Sequence, residues 1–119
     1  MNRISLDVAK EAVALGILDV LMVPPSDVPI DPAYGSEKLP DSDLVAVYPL
    51  PCQESLRHML FETTGLFVAV TMDRRYASGY FYWELFDRGS LLSYSGVRFF
   101  DSYDDALASG LQEAFRLLK

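Results

Sequence analysis

The sequence predicts an α+β fold: an antiparallel sheet of three to four strands with two helices packed on one face, preceded by an N-terminal helix and a Pro-rich linker. Three observations lead there. All seven prolines lie between Pro24 and Pro51, so the chain from Cys52 onward is free to form continuous helices and ladders. Leu66 to Asp73 alternates with a period of two, as a half-buried strand does. Phe100 to Lys119 repeats its apolar residues at about 100° per residue, the signature of a helix with one buried face. From Pro51 the order is helix, three strands, helix, for which one antiparallel sheet is the economical arrangement. At 119 residues, half of them apolar, the chain suits a single domain, residues 1–119, with its own core.

Residues 1–23 read as a short helix and an extended segment. Ser5 can cap a helix over Leu6 to Leu15, with Val8, Ala9, Ala12, Val13 and Leu15 on one side and Gly16 past its end. A helix this short is marginal in water and needs something to pack on. Ile17 to Val23 is an apolar run broken only by Asp19. Residues 24–43 read as a Pro-rich acidic linker, because prolines fix φ while Asp and Ser satisfy local backbone groups. Its acids, Asp27, Asp31, Glu37, Asp41 and Asp43, lack the closing bidentate acid and turn glycine of a calcium loop, so no metal is assigned.

Residues 44–119 form the expected core. Leu44 to Tyr48 is rich in strand formers and ends at Pro49. A second helix opens at Pro51-Cys52-Gln53-Glu54, carries Leu56, Met59 and Leu60 on one face, and ends at Gly65. In the next strand Leu66, Val68, Val70 and Met72 share one side, and Phe67, Ala69 and Thr71 the other. Tyr80 to Arg88 follows through a connection at Asp73 to Gly79, Asp87 to Ser90 is a turn signal, and Val97 to Phe100 reads as a short last strand. The closing helix starts at Ser102 with Asp105 three positions on, a capping-box-like pair. Tyr103, Ala106, Leu107, Gly110, Leu111, Ala114, Leu117 and Leu118 form its apolar arc. Glycine inside a helix costs about 1 kcal/mol relative to alanine, so Gly110 on that arc points to close approach of another backbone.

Composition restricts function more than it reveals it. Ten basic against seventeen acidic residues give a net charge of −7, which repels phosphate backbones and disfavours nucleic acid as a partner. The chain shows no signal-peptide core and no run of eighteen apolar residues, so the expectation is a cytoplasmic protein with no membrane partner. The single Cys52 excludes an internal disulfide and a cysteine cluster. His58, the only histidine, falls opposite the Leu56, Met59, Leu60 stripe with no nucleophile tied to it. No phosphate loop, zinc spacing or nucleophile elbow is present. The expectation is a non-enzymatic protein with no catalytic residue, cofactor or metal.

The aromatic strand carries the positive expectation. Tyr80, Tyr82 and Phe86 share one face and Phe81, Trp83 and Leu85 the other, so both sides are rich in large apolar groups. One side must cover the helices; the other, with Phe67 of the neighbouring strand, is a candidate interface for a protein partner or a second copy, giving a homodimer. The alternative is that the N-terminal helix or the linker folds over this side and completes an ordinary core. Arg74, Arg75, Arg88 and Arg98 could form a basic spot beside the aromatics, as on single-strand nucleic-acid platforms, or be solubilising turn residues. The element order is that of double-stranded-RNA-binding domains. However, the closing helix begins Ser102-Tyr103-Asp104-Asp105, where a lysine cluster would be needed.

Three segments carry a family resemblance: Ile4-Ser5-Leu6 with Ala9 and Ala12; Pro51 and Gln53 with Leu56, Leu60 and Glu62; and Tyr103, Ala106-Leu107 with Gly110-Leu111-Gln112-Glu113-Ala114. With these the chain resembles a family of small uncharacterised proteins of Bacteroides-type gut bacteria and their prophages. The chain departs from that pattern in Met59, where tryptophan is frequent, and in its proline-rich linker. The resemblance implies a common fold and mobile-element ancestry, and supplies no catalytic residues.

Overall fold

A computed structural model describes residues 3–73, 80–96 and 99–119. The fold is α+β. Its elements are α1 (Leu6–Ala14), β1 (Leu21–Val23), a 3-10 turn (Pro25–Asp27), β2 (Tyr34–Lys38), β3 (Val45–Pro49), α2 (Gln53–Thr64), β4 (Leu66–Asp73), β5 (Tyr80–Asp87), β6 (Ser90–Tyr94) and α3 (Tyr103–Leu118). The strands form two antiparallel three-stranded sheets, ordered β1-β3-β2 and β4-β5-β6. The chain divides into two compact units, Met1–Ser55 and Leu56–Lys119.

In the first unit Ser5 caps α1 by accepting from the Val8 amide, and Ala9 and Ala12 are fully buried. Gly16 takes a φ of 77° just past the helix, the left-handed stop that the sequence placed there. β3 is the central strand, and its Val45, Ala46 and Val47 are all buried, as in a strand covered on both sides. The Pro-rich stretch departs from its expected role as a linker, because it contains β2. Pro32 and Pro40 bracket the strand, so residues 33–39 keep every amide, and β3 offers an edge to pair with. A Lys10–Glu37 ion pair joins α1 to this strand. β3 ends at Pro49, as expected, opposite Tyr34 in the last pair.

In the second unit β4 and β5 pair from Leu66↔Asp87 to Asp73↔Tyr80. Directly opposed residues share a face. One face therefore holds Leu66, Val68, Val70, Leu85 and Trp83, and α3 packs on it with Ala106, Leu107, Gly110, Leu111, Ala114 and Phe115 buried. Gly110 is the point of closest approach, since a methyl there would lie 2.4 Å from Val68 Cγ1 and 3.2 Å from the Trp83 ring. The close neighbour is thus a pair of side chains, not a second backbone. Phe115, at the margin of the apolar arc, is buried, whereas Leu117 remains 43% exposed.

Two expected details differ. Among the described residues the last strand is Ser90–Tyr94; of the expected strand Val97 to Phe100, Val97 and Arg98 lie outside the described residues, and Phe100 makes an isolated two-bond bridge to Phe81. Arg88 and Gly89 both have positive φ, 49° and 93°, the pattern of a type I′ hairpin, which returns the chain at once into an antiparallel strand. A register shift between Leu85 and Phe86 then breaks the alternation that would have marked β6 in the sequence. Secondly, the extensive helix packing on the β4–β5 sheet is that of α3. Gly65 is the single residue between α2 and β4, and α2 reaches β4 through Arg57, which donates to the Val68 carbonyl, and Phe61, which meets Phe67 on the opposite face.

Candidate functional site

The β4–β5 register brings the four predicted interface residues together. Phe67 faces Phe86, while Tyr82 and Tyr80 oppose Thr71 and Asp73, all on the side away from α3. Each of the four aromatics is half-buried. Phe99 tilts against Tyr80 at 6.0 Å and meets Tyr82 edge-on at 6.4 Å between centroids. At the other end, the Arg57 guanidinium sits 5.2 Å above the Phe67 ring, and Phe61 meets that ring edge-on at 5.8 Å. Arg57 is held in turn by the Tyr103 hydroxyl and the Val68 carbonyl, so Phe67 is fixed from both sides.

The face extends further than the sequence indicated. Leu91 opposes Phe86 and Tyr94 opposes Glu84, so β6 adds two apolar residues to the same side, 51% and 62% exposed. The turn signal at Asp87 to Ser90 could have placed them, had the following residues been paired back onto β5. Phe61, 45% exposed, borders the other end. Glu84 stands half-buried among these rings, and Asp73 is a buried acid on the same face.

The basic spot is not assembled among the described residues. Arg74, Arg75 and Arg98 lie outside them. Arg88 is exposed at the hairpin, its amide bonded to the Gly65 carbonyl at 3.0 Å and its side chain lying over Gly65. A shallow depression of about 590 Å³ beside it is lined by Phe61, Thr63, Thr64 and Gly65.

His58 is exposed and pairs with Glu62 one turn on at 2.9 Å. Cys52 is a half-buried free thiol. In the structure it precedes the first turn of α2, its sulfur 3.3 Å from the Ser55 hydroxyl. That hydroxyl, aided by the amides of Ser55 and Glu54, favours the thiolate and draws the Cys52 thiol below its ordinary value. Among the described residues no group of three or more His, Cys, Asp or Glu side chains could hold a metal ion. No helix among them is long and apolar enough to cross a membrane.

A second concavity, about 520 Å³, opens between β6 and α3 on the covered face. Ser93 and Ser95 line it from the strand, Ser109, Gln112, Glu113 and Arg116 from the helix, and Trp83 from below. The indole Nε1 donates to Ser109 Oγ at 3.1 Å, and Arg116 holds Glu113, whose carboxyl is drawn below the usual range by that guanidinium. The aromatic face can offer apolar and edge-to-face contacts; the β6–α3 groove offers hydroxyls and an amide. Compared with known proteins, the chain matches no family model, no curated protein and no solved structure.

Proposed function

We propose that the protein is a non-enzymatic interaction module whose docking surface is the sheet face carrying Phe67, Tyr80, Tyr82 and Phe86, extended by Leu91 and Tyr94. The observation that carries this reading is the run of half-exposed rings across three adjacent strands, held rigid by Arg57, Phe61 and Phe99. Preorganised aromatic anchors rimmed by polar groups are what protein partners use. Exposed His58, engaged by Glu62, supports the non-enzymatic side of the proposal. Mobile-element ancestry is part of the same proposal and rests on the three sequence motifs, which fall at the helices α1, α2 and α3.

The test is affinity capture from a lysate of the native host with the tagged full chain, its Tyr82→Ser variant and its Arg88→Glu variant. Proteins retained by the wild type and by Arg88→Glu but lost with Tyr82→Ser support the face. Identical recoveries with all three reject it, and loss with Arg88→Glu alone transfers the role to the hairpin.

A further inference from the structure

Among the described residues the outer side of β6 is a sheet edge. Ser95 donates its amide to the Trp83 carbonyl at 3.0 Å, and Tyr94, the preceding residue, opposes Glu84 in the same register. Alternation along an antiparallel ladder therefore turns the N–H and C=O of Tyr94 outward, away from β5. Soluble proteins protect such edges with lysine, proline or inward charge. Residues 89–96, Gly-Ser-Leu-Leu-Ser-Tyr-Ser-Gly, contain none of these, and the bulge of β6 falls between Leu91 and Ser93, before the Ser93–Ser95 segment. The opposite edge differs: the outward carbonyl of Val68 on β4 already accepts from Arg57.

A strand added to β6 would have to present polar residues on the groove side, next to Ser93, Ser95 and Gln112, and apolar residues beside Leu91 and Tyr94. β6 itself has this pattern. A two-fold axis normal to the sheet keeps each face on its own side, so a second β6 brings serines to the groove and Leu91 and Tyr94 to the aromatic face. Charge does not oppose the encounter. Leu56–Lys119 holds seven basic and eight acidic residues, a net of −1, against three basic and nine acidic ones, −6, in Met1–Ser55.

We propose that β6 is a self-pairing edge: two copies of the chain join antiparallel with Tyr94 opposite Tyr94 of the second copy, linked by reciprocal N–H to C=O bonds, with Ser93 opposite Ser95. The two β4-β5-β6 sheets become one of six strands, and the two aromatic faces become continuous. The blocked β4 edge closes the assembly at a dimer instead of a fibre. The inference goes beyond the docking face, because the bonds that join the copies come from the backbone of the β6 edge; Leu91 and Tyr94 belong to both surfaces.

Sedimentation equilibrium of the full chain across the micromolar range tests it. The wild type is expected to be dimeric, and Tyr94→Pro, which deletes the outward N–H while leaving the ladder to β5 intact, to lose about tenfold or more in association. Tyr82→Ser should remain dimeric, so the edge and the aromatic face are separated. In a Cys52→Ser background, Tyr94→Cys should oxidise to a covalent dimer, since hydrogen-bonded antiparallel partners lie about 5.5 Å apart, within disulfide reach. That readout decides the matter if Tyr94→Pro does not fold. A wild type that stays monomeric overturns the proposal, as does undiminished dimerisation of folded Tyr94→Pro or no cross-linking by Tyr94→Cys. Dimerisation lost with Tyr82→Ser but kept with Tyr94→Pro also overturns it, and assigns self-association to the face.

Discussion

Gly110→Ala sets two opposing effects against each other at the α3–sheet contact. Alanine is the better helix former by about 1 kcal/mol. Its methyl, however, would lie 2.4 Å from Val68 Cγ1 and 3.2 and 3.3 Å from Trp83 Cγ and Cβ. Carbon atoms prefer about 3.5–4.0 Å, so the first of these is an overlap of roughly 1 Å. Neither neighbour is free to yield. Val68 is fully buried and β-branched, and Trp83 is 6% exposed with its indole tied to Ser109. Overpacking a core in this way costs about 1–3 kcal/mol, which outweighs the helical gain and leaves a net loss of about 1 kcal/mol. Urea denaturation followed by circular dichroism should show a lower midpoint with unchanged slope, and the melting temperature should fall by about 3–6 °C. In a Val68→Ala background the closest overlap is gone and only the 3.2–3.3 Å contacts with Trp83 remain, so Gly110→Ala should cost less there than in the wild type. A Gly110→Ala protein more stable than the wild type would refute the packing of α3 on Val68 and Trp83.

Three further outcomes follow from local geometry. Ser102→Ala removes the hydroxyl that accepts from the Asp105 amide and should cost about 1 kcal/mol in urea denaturation; no loss would mean that α3 starts elsewhere. Cys52 should react with iodoacetamide faster at neutral pH than an ordinary thiol, and Ser55→Ala should move its pH–rate midpoint upward; equal midpoints would remove the role of that hydroxyl. Glu113 has a folded-state pKa below its unfolded one, so its contribution is present above the unfolded carboxylate pKa and fades as pH falls through the folded value. Arg116→Gln should therefore lessen the acid-side loss of stability, and an identical pH profile would count against the pair.

What the sequence made legible was local. α3 could be read because a capping serine, a first-turn acid and an apolar arc specify a helix with no help from the rest of the chain. The four aromatic positions were legible because a period of two fixes which residues share a face, and antiparallel pairing of β4 with β5 then brings them together. β2 was hidden by its prolines, although they flank the strand and its partner edge is supplied by β3. β6 was hidden by a bulge, which cost the reading Leu91 and Tyr94 of the candidate face. The polarisation of Cys52 depends on where α2 begins and how Ser55 turns, details that composition does not encode.

The docking face is tested most directly by amide shift mapping of the ¹⁵N-labelled chain titrated with the partner recovered in the capture experiment. Shifts are expected at Phe67, Tyr82, Phe86 and Leu91, with the α3 amides of Leu107 and Leu111 unmoved. Shifts centred on α3 or on α1, with the aromatic strands silent, would contradict it.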